Sequence, residues 1–267
     1  NAQAFDAFGF SVAISGDTVA VGAVMEASAA DGINGNQADN SAISAGAVYV
    51  FTRIGSAWSQ QAYVKASNSD GNDLFGTSVA LSGDLLLISA RNERSNTTGI
   101  NGNQADNSLA NAGAAYLFRR DDELWSQQAY LKASNTDSSD IFGNAVALSG
   151  TSAFIGARQE ESNATGIGGD QADDSLSGSG AAYAFTFGSD LRSLAKTALP
   201  APGLVEAAHG LPGAAAVSPT GSALFEGSLT GAGSTRGRAR SLFSTVGPGG
   251  GVDAVLQLGD DLSGLGS

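Results

Sequence analysis

The stretch FGFSVAISGDTVAVGA, residues 8–23, decides the fold. It returns as FGTSVALSGDLLLISA at 75–90 and as FGNAVALSGTSAFIGA at 142–157. Phe8-Gly9, Phe75-Gly76 and Phe142-Gly143 therefore stand 67 residues apart both times. A fixed period of this size marks a chain of repeated supersecondary units. Inside the stretch, apolar residues alternate with small or polar ones, which is the period of a half-buried strand. Gly16-Asp17 and Gly83-Asp84 supply a tight hairpin turn before the second strand, TVAVGA or LLLISA. Working outward, GAVYVF at 46–51 returns as GAAYLF at 113–118 and GAAYAF at 180–185, a third strand of β-branched and aromatic residues. WSQQAYVKASNSD from Trp58 returns as WSQQAYLKASNTD from Trp125 and gives the fourth. The next copy would place its Trp at residue 192, which is Arg192, and the repeat stops there. No segment sustains helical periodicity. The reading is all-β, with four-stranded antiparallel β-propeller blades starting near residues 8, 75 and 142.

At these residues the chain resembles the FG-GAP repeat family, the blades of the integrin α-subunit β-propeller and of many bacterial extracellular proteins. Phe-Gly, SVA, VGA in the place of the family's GAP, and GAVYVF carry the resemblance; WSQQAYLKASNTD and GINGNQADNS point to the bacterial branch. It covers residues 1–187. The resemblance implies a non-catalytic binding, adhesion or scaffolding module of a secreted or cell-surface bacterial protein, with a protein or glycan as ligand. It does not imply an enzyme. One departure matters. The family's calcium loop, of type DxDxDG, lies between the first two strands of a blade, and here that connection is only SGD or SGT.

Composition narrows the chemistry. The chain carries 26 acidic and 13 basic groups for a net charge of -13, with no Cys and a single His, His209. Disulfides, thiolate metal sites and cysteine nucleophiles are excluded, and one His cannot build a multi-histidine centre. The acidity argues against nucleic acid, which needs clustered Lys and Arg. No apolar run reaches the roughly 20 residues of a membrane span. The charge is uneven: residues 1–187 hold 20 acidic and 8 basic groups, residues 188–267 hold 6 and 5. All five Pro and 16 of the 37 Gly fall in the second part. Residues 188–267 read as a divergent Gly/Ala/Pro-rich β segment, with strand-like AAVSPTGSALFEGSL and ARSLFSTV between Gly-rich turns. TALPAPG at 197–203 is a turn candidate, and Arg236, Arg238 and Arg240 a solvated edge. Propellers close with about four to eight blades. Three blades leave the ring open, so an incomplete propeller is expected, with the remaining blades of a parent chain outside this one and apolar surface exposed around Phe8.

The long loop between the second and third strands reads DGINGNQADNS (31–41), TGINGNQADNS (98–108) and TGIGGDQADDS (165–175). Asp39, Asp106 and Asp173 recur in register, with Asn36, Asn103 and Asp170 beside them. Closely spaced oxygen groups and flexible Gly suit Ca²⁺, which takes six to eight oxygens; this set is the candidate metal site. The same residues also build turns and cap loop backbone. Asp6, Asp73 and Asp140 precede each Phe-Gly in D-x-F-G and are expected to accept from backbone N–H groups at the strand entry. Phe8, Phe75 and Phe142 are expected to pack between blades, with Gly9, Gly76 and Gly143 allowing close backbone approach. Trp58 and Trp125 each follow a turn and fit core or surface. Asn96 and Asn163 match glycosylation acceptors, and His209 reads as a solvated loop residue. A structural spacer without a ligand, or a hydrolase with carboxylates in propeller loops, are the competing functions; no paired-carboxylate cleft can be read from a linear sequence.

Overall fold

The structure is a computed structural model that describes residues 3–187 and, further on, the backbone of four strands. His209, the turn at 197–203, and Arg236, Arg238 and Arg240 lie outside the described residues. The first sheet is a meander of β1 (Phe8–Ser15), β2 (Thr18–Ala23), β3 (Ala47–Ile54) and β4 (Ala57–Val64). The second repeats it with β5 (Phe75–Ser82), β6 (Leu85–Ala90), β7 (Ala114–Asp121) and β8 (Leu124–Leu131). The third has β9 (Phe142–Ser149), β10 (Ser152–Ala157) and β11 (Ala181–Thr186). Its fourth position falls beyond Phe187, outside the described residues. A separate four-stranded meander comprises β12 (Ala214–Val217), β13 (Ala223–Ser228), β14 (Ser241–Val246) and β15 (Val252–Gln257). All pairings are antiparallel, and no helix occurs among the described residues.

The first hairpin of each blade follows from its turn. Ser15 pairs with Thr18 across Gly16-Asp17, and Ser82 with Leu85 across Gly83-Asp84. Two-residue loops of this kind need positive φ, and Gly16 and Gly83 both adopt 56°. At the other end of the first strand, Phe-Gly interrupts the ladder. The register shifts between Phe75 and Val79, and Gly76 has φ 88°, a left-handed bulge position that a Cβ would strain. That bulge sets Phe75 over Tyr116 and Phe118 of its own sheet and against the blade before it. The Phe75 N–H donates to the Ala45 carbonyl at 2.9 Å, and a Cβ on Gly46 would collide with the Phe75 backbone.

The core lies between sheets. One cluster joins Val48, Val50 and Val64 of the first blade to Phe75, Ile88 and Tyr116 of the second. The next joins Leu87, Leu117 and Leu131 to Phe142, Ile155 and Tyr183. Burying one such Phe contributes about 1.5–3 kcal/mol. Phe75 and Phe142 are 0% exposed, whereas Phe8, expected between blades as well, is 57% exposed. The physical reason is position: among the described residues no blade precedes the first, and the aromatic neighbours of Phe8 are Tyr49 and Phe51 of its own sheet. Phe10, Val12 and Ile14 share that uncovered face.

Candidate functional site

Each blade junction carries a polar lock that begins in the fourth strand. Lys65, just past β4, is fully buried, and its Nζ donates to Glu26 Oε2 at 3.1 Å and to the Ser28 carbonyl at 2.6 Å. In the second blade Lys132 Nζ donates to Glu93 Oε2 at 2.9 Å. Burial pulls both lysines below the ordinary ammonium range, and the facing carboxylate pulls the other way. Three residues after the first of these lysines, Asn68 reaches forward into the next blade. Its Nδ2 donates to Glu93 Oε1 at 3.1 Å and to the Gln104 carbonyl at 3.0 Å, while Tyr116 Oη donates to Asn68 Oδ1 at 2.7 Å. Asn135, Glu160, Gln171 and Tyr183 repeat the arrangement at the second junction. Glu93 thus receives a lysine of its own blade and an asparagine of the blade before. Burial raises Glu160 above the ordinary carboxylate range.

The D-x-F-G aspartates sit beside these locks. Asp73 Oδ2 accepts from the Asp70 N–H at 3.2 Å, Asp140 Oδ2 from Asp137 at 2.9 Å and Asp6 Oδ2 from Gln3 at 3.2 Å. Each carboxyl therefore holds the turn that delivers Phe-Gly. The turns carry backbone strain: Leu74 and Ile141 adopt φ of 59° and 56°, costly for a branched side chain. Burial, with the Glu93 charge next, pushes Asp73 up to about 7. Burial likewise pushes Asp140 up to about 7.

The long loops close on themselves in the same way three times. Asp39 Oδ2 accepts from the Ala29 N–H at 2.7 Å and from Ser41 Oγ at 2.9 Å. Asp106 Oδ1 accepts from Asn96 N–H and from Ser108 N–H and Oγ. Asp173 Oδ1 does so from Asn163 and Ser175. These donors hold the three carboxyls below their usual range, the Ala29 N–H first for Asp39 and the serine hydroxyl first for the others. Asn36, Asn103 and Asp170 each accept, through Oδ1, from the N–H two residues on, forming Asx turns. Asn34 and Asn101 tie the loop to the fourth strand by accepting from Tyr63 and Tyr130 N–H. Each carboxylate of the candidate metal set thus bonds within its own loop. Among the described residues no three His, Cys, Asp or Glu side chains converge as a metal would need. At SGD, Asp17 Oδ1 instead accepts from Arg53 at 2.6 Å.

Where two long loops meet, the first junction opens a shallow polar recess of about 450 Å³. Asp31, Ser67, Asn68, Asp70, Gln104 and Asn107 line it. Asp31 Oδ1 accepts from the Ser69 N–H at 2.9 Å and Asn107 Nδ2 donates to Asp70 Oδ2 at 2.7 Å, while Ser67 Oγ bonds Gln104 Oε1. At the second junction Asp137 and Asp174 take the places of Asp70 and Asn107. Burial raises Asp137, and the Asp174 charge adds to it.

Sequence reasoning placed the loop aspartates and missed the locks. Glu26, Glu93 and Glu160 recur with the same period of 67, as do Lys65 with Lys132 and Asn68 with Asn135; that recurrence was the available signal.

Successive antiparallel sheets, packed on one another and joined by a bulged Phe-Gly and a polar lock, define a repeat protein of the propeller-blade class. The FG-GAP repeat profile matches residues 1–51, 58–118 and 125–185, and the chain belongs to the FG-GAP repeat family. Its members' repeats usually occur in extracellular proteins, serve protein binding and are generally non-catalytic. No curated protein matches the chain.

Proposed function

We propose that the chain is an extracellular, non-catalytic binding module that presents its ligand face where the long loops of adjacent blades meet. The observation that carries this reading is the recess at the first junction, where carboxylate, amide and hydroxyl groups converge on loops held rigid by their own hydrogen bonds. Loops on a rigid scaffold are where binding residues concentrate. Such groups suit a hydroxyl-rich ligand, because a sugar both donates to carboxylates and accepts from amides. A bacterial cell-surface or secreted address follows from the same reading. The test is a glycan microarray probed with the wild-type chain and with Asp31→Ala/Asn107→Ala. Binding to a glycan set that the double substitution abolishes supports the recess; binding that the substitution leaves intact removes it.

A further inference from the structure

The polar lock at the first junction brings together the parts of an acyl-transfer reaction. The two oxygens of Glu93 each hold a nitrogen from a different blade: Oε2 accepts from Lys132 Nζ at 2.9 Å and Oε1 from Asn68 Nδ2 at 3.1 Å. The amine and the carboxamide are therefore neighbours across one carboxyl group. Tyr116 Oη donates to Asn68 Oδ1 at 2.7 Å, the oxygen that takes negative charge when a carboxamide carbon is attacked. Lys132, Glu93 and Tyr116 are fully buried. Asn68 is half-buried and lines the recess between the long loops, so its nitrogen has a way out to solvent.

Among the described residues this lock alone has all four groups. At the second junction Asn135, Glu160 and Tyr183 keep their places, and the position in register with Lys132 is Leu199. In the first blade Lys65 and Glu26 keep theirs, and the position in register with Asn68 is Asn1. Leu199 and Asn1 lie outside the described residues.

We propose that the chain forms its own covalent cross-link here, an amide joining Lys132 Nζ to Asn68 Cγ with loss of ammonia. The charge pair is the state from which the bond forms. Burial works against the lysine ammonium. Passing one proton from Nζ to Glu93 therefore replaces two buried charges by a neutral amine and a neutral acid. The freed lone pair on Nζ attacks Asn68 Cγ and makes the new C–N bond. Tyr116 stabilises the oxyanion that develops on Oδ1. Glu93, in contact with both nitrogens, carries a second proton from Nζ to Nδ2. The Cγ–Nδ2 bond then breaks, Oδ1 returns to a carbonyl oxygen, and ammonia leaves through the recess. One amide replaces another, Glu93 ends as the neutral acid, and the balance calls for no oxidant, reductant or co-reactant. A carboxamide is a poor electrophile, and holding both groups on one carboxyl gives the step the effective concentration of an intramolecular reaction. The product fastens the end of the fourth strand of the first blade to that of the second.

The test is mass spectrometry of the full chain, incubated folded at neutral pH and then denatured. The wild type should be lighter than its sequence mass by the mass of an ammonia. Its tryptic digest should contain residues 66–91 joined to residues 121–158, with the link at Asn68 and Lys132. Lys132→Arg and Glu93→Gln should each release 66–91 as a free peptide. Tyr116→Phe keeps the ring in the core and should slow the linkage at least about tenfold, as expected for loss of one oxyanion donor. Circular dichroism checks that each variant is folded. Where Glu93→Gln unfolds, the wild-type digest and the Tyr116→Phe rate decide the matter. A wild type that releases 66–91 free overturns the proposal, and so does a folded Glu93→Gln that links like wild type. An ammonia loss confined to one peptide, as from cyclisation at Asn101-Gly102, overturns it as well.

Discussion

Lys132 Nζ lies 2.9 Å from Glu93 Oε2 with neither side chain exposed, in a site where Asn68 of the preceding blade occupies the other carboxylate oxygen. Breaking a buried pair by removing one partner costs about 3–5 kcal/mol, because the remaining charge stays in the interior. Replacing both partners by apolar residues is often neutral. Lys132→Met should therefore lower the urea midpoint sharply, and Lys132→Met/Glu93→Leu should recover most of the loss, since Asn68 keeps its bonds to Gln104 and Tyr116. A double variant as unstable as the two single losses added together would mean that the pair is held for more than charge compensation.

Stability should fall as the pH rises toward neutrality. Asp73 and Asp140 titrate near about 7 in the folded chain, against an ordinary value of 3.8. Their folded-state pKa is raised, so the stabilisation is fully present below the unfolded value and is lost as pH climbs through the folded one. Urea midpoints measured from pH 4 to pH 8 should decline and level off above about 7. Asp73→Asn keeps an acceptor for the Asp70 N–H and should flatten the profile. A midpoint that climbs across this window would contradict the burial argument.

The two tryptophans occupy the same repeat position and should behave oppositely. Trp125 is 5% exposed and its Nε1 donates to Gln61 Oε1 of the first blade at 2.8 Å; Trp58 is 44% exposed. Each is stacked by an arginine, Arg120 and Arg53 respectively. Acrylamide should quench Trp58 readily and Trp125 poorly. Trp125→Ala should cost about 3–5 kcal/mol, a typical core value. Trp58→Ala should stay within about 1 kcal/mol, as surface changes do.

Gly46 and Gly55 both adopt left-handed φ, 84° and 64°, yet only Gly46 is crowded. Gly55→Ala should cost about 1–2 kcal/mol from conformation alone. Gly46→Ala adds collision with the Phe75 backbone and should cost more and loosen the first junction. Hydrogen exchange at the Phe75 amide, which bonds the Ala45 carbonyl, reads this directly.

The strands were legible because alternation and two-residue turns are local properties. TVAVGA between Gly16-Asp17 and a polar loop has one sensible structure. The hairpin-spaced apolar residues at 214–228 and 241–246 announced β12, β13 and β14 in the same way, while β15 lacked a distinct signal. What the sequence hid is whatever depends on a neighbour. Phe8 and Phe75 are the same residue in the same motif, and only the presence of a preceding blade decides that one is exposed and the other buried. The Lys65–Glu26 pair spans 39 residues and joins a strand end to a loop start, so each charge alone resembles a solvated one. Asp39, Asp106 and Asp173 were recognisable as loop organisers from their Asn, Gly and Ser company, and their hydrogen-bond partners lie within the same loop.

The profile matches at 58–118 and 125–185 begin in a fourth strand and end in the third strand of the next sheet. Asn68, Glu93 and Tyr116 all fall inside one such span, and Asn135, Glu160 and Tyr183 inside the other. The family's repeat unit is thus drawn around the seam rather than the blade. Adding or removing one such unit would carry an asparagine together with the glutamate and tyrosine it binds, whereas the lysine that faces each glutamate would come from the unit that follows.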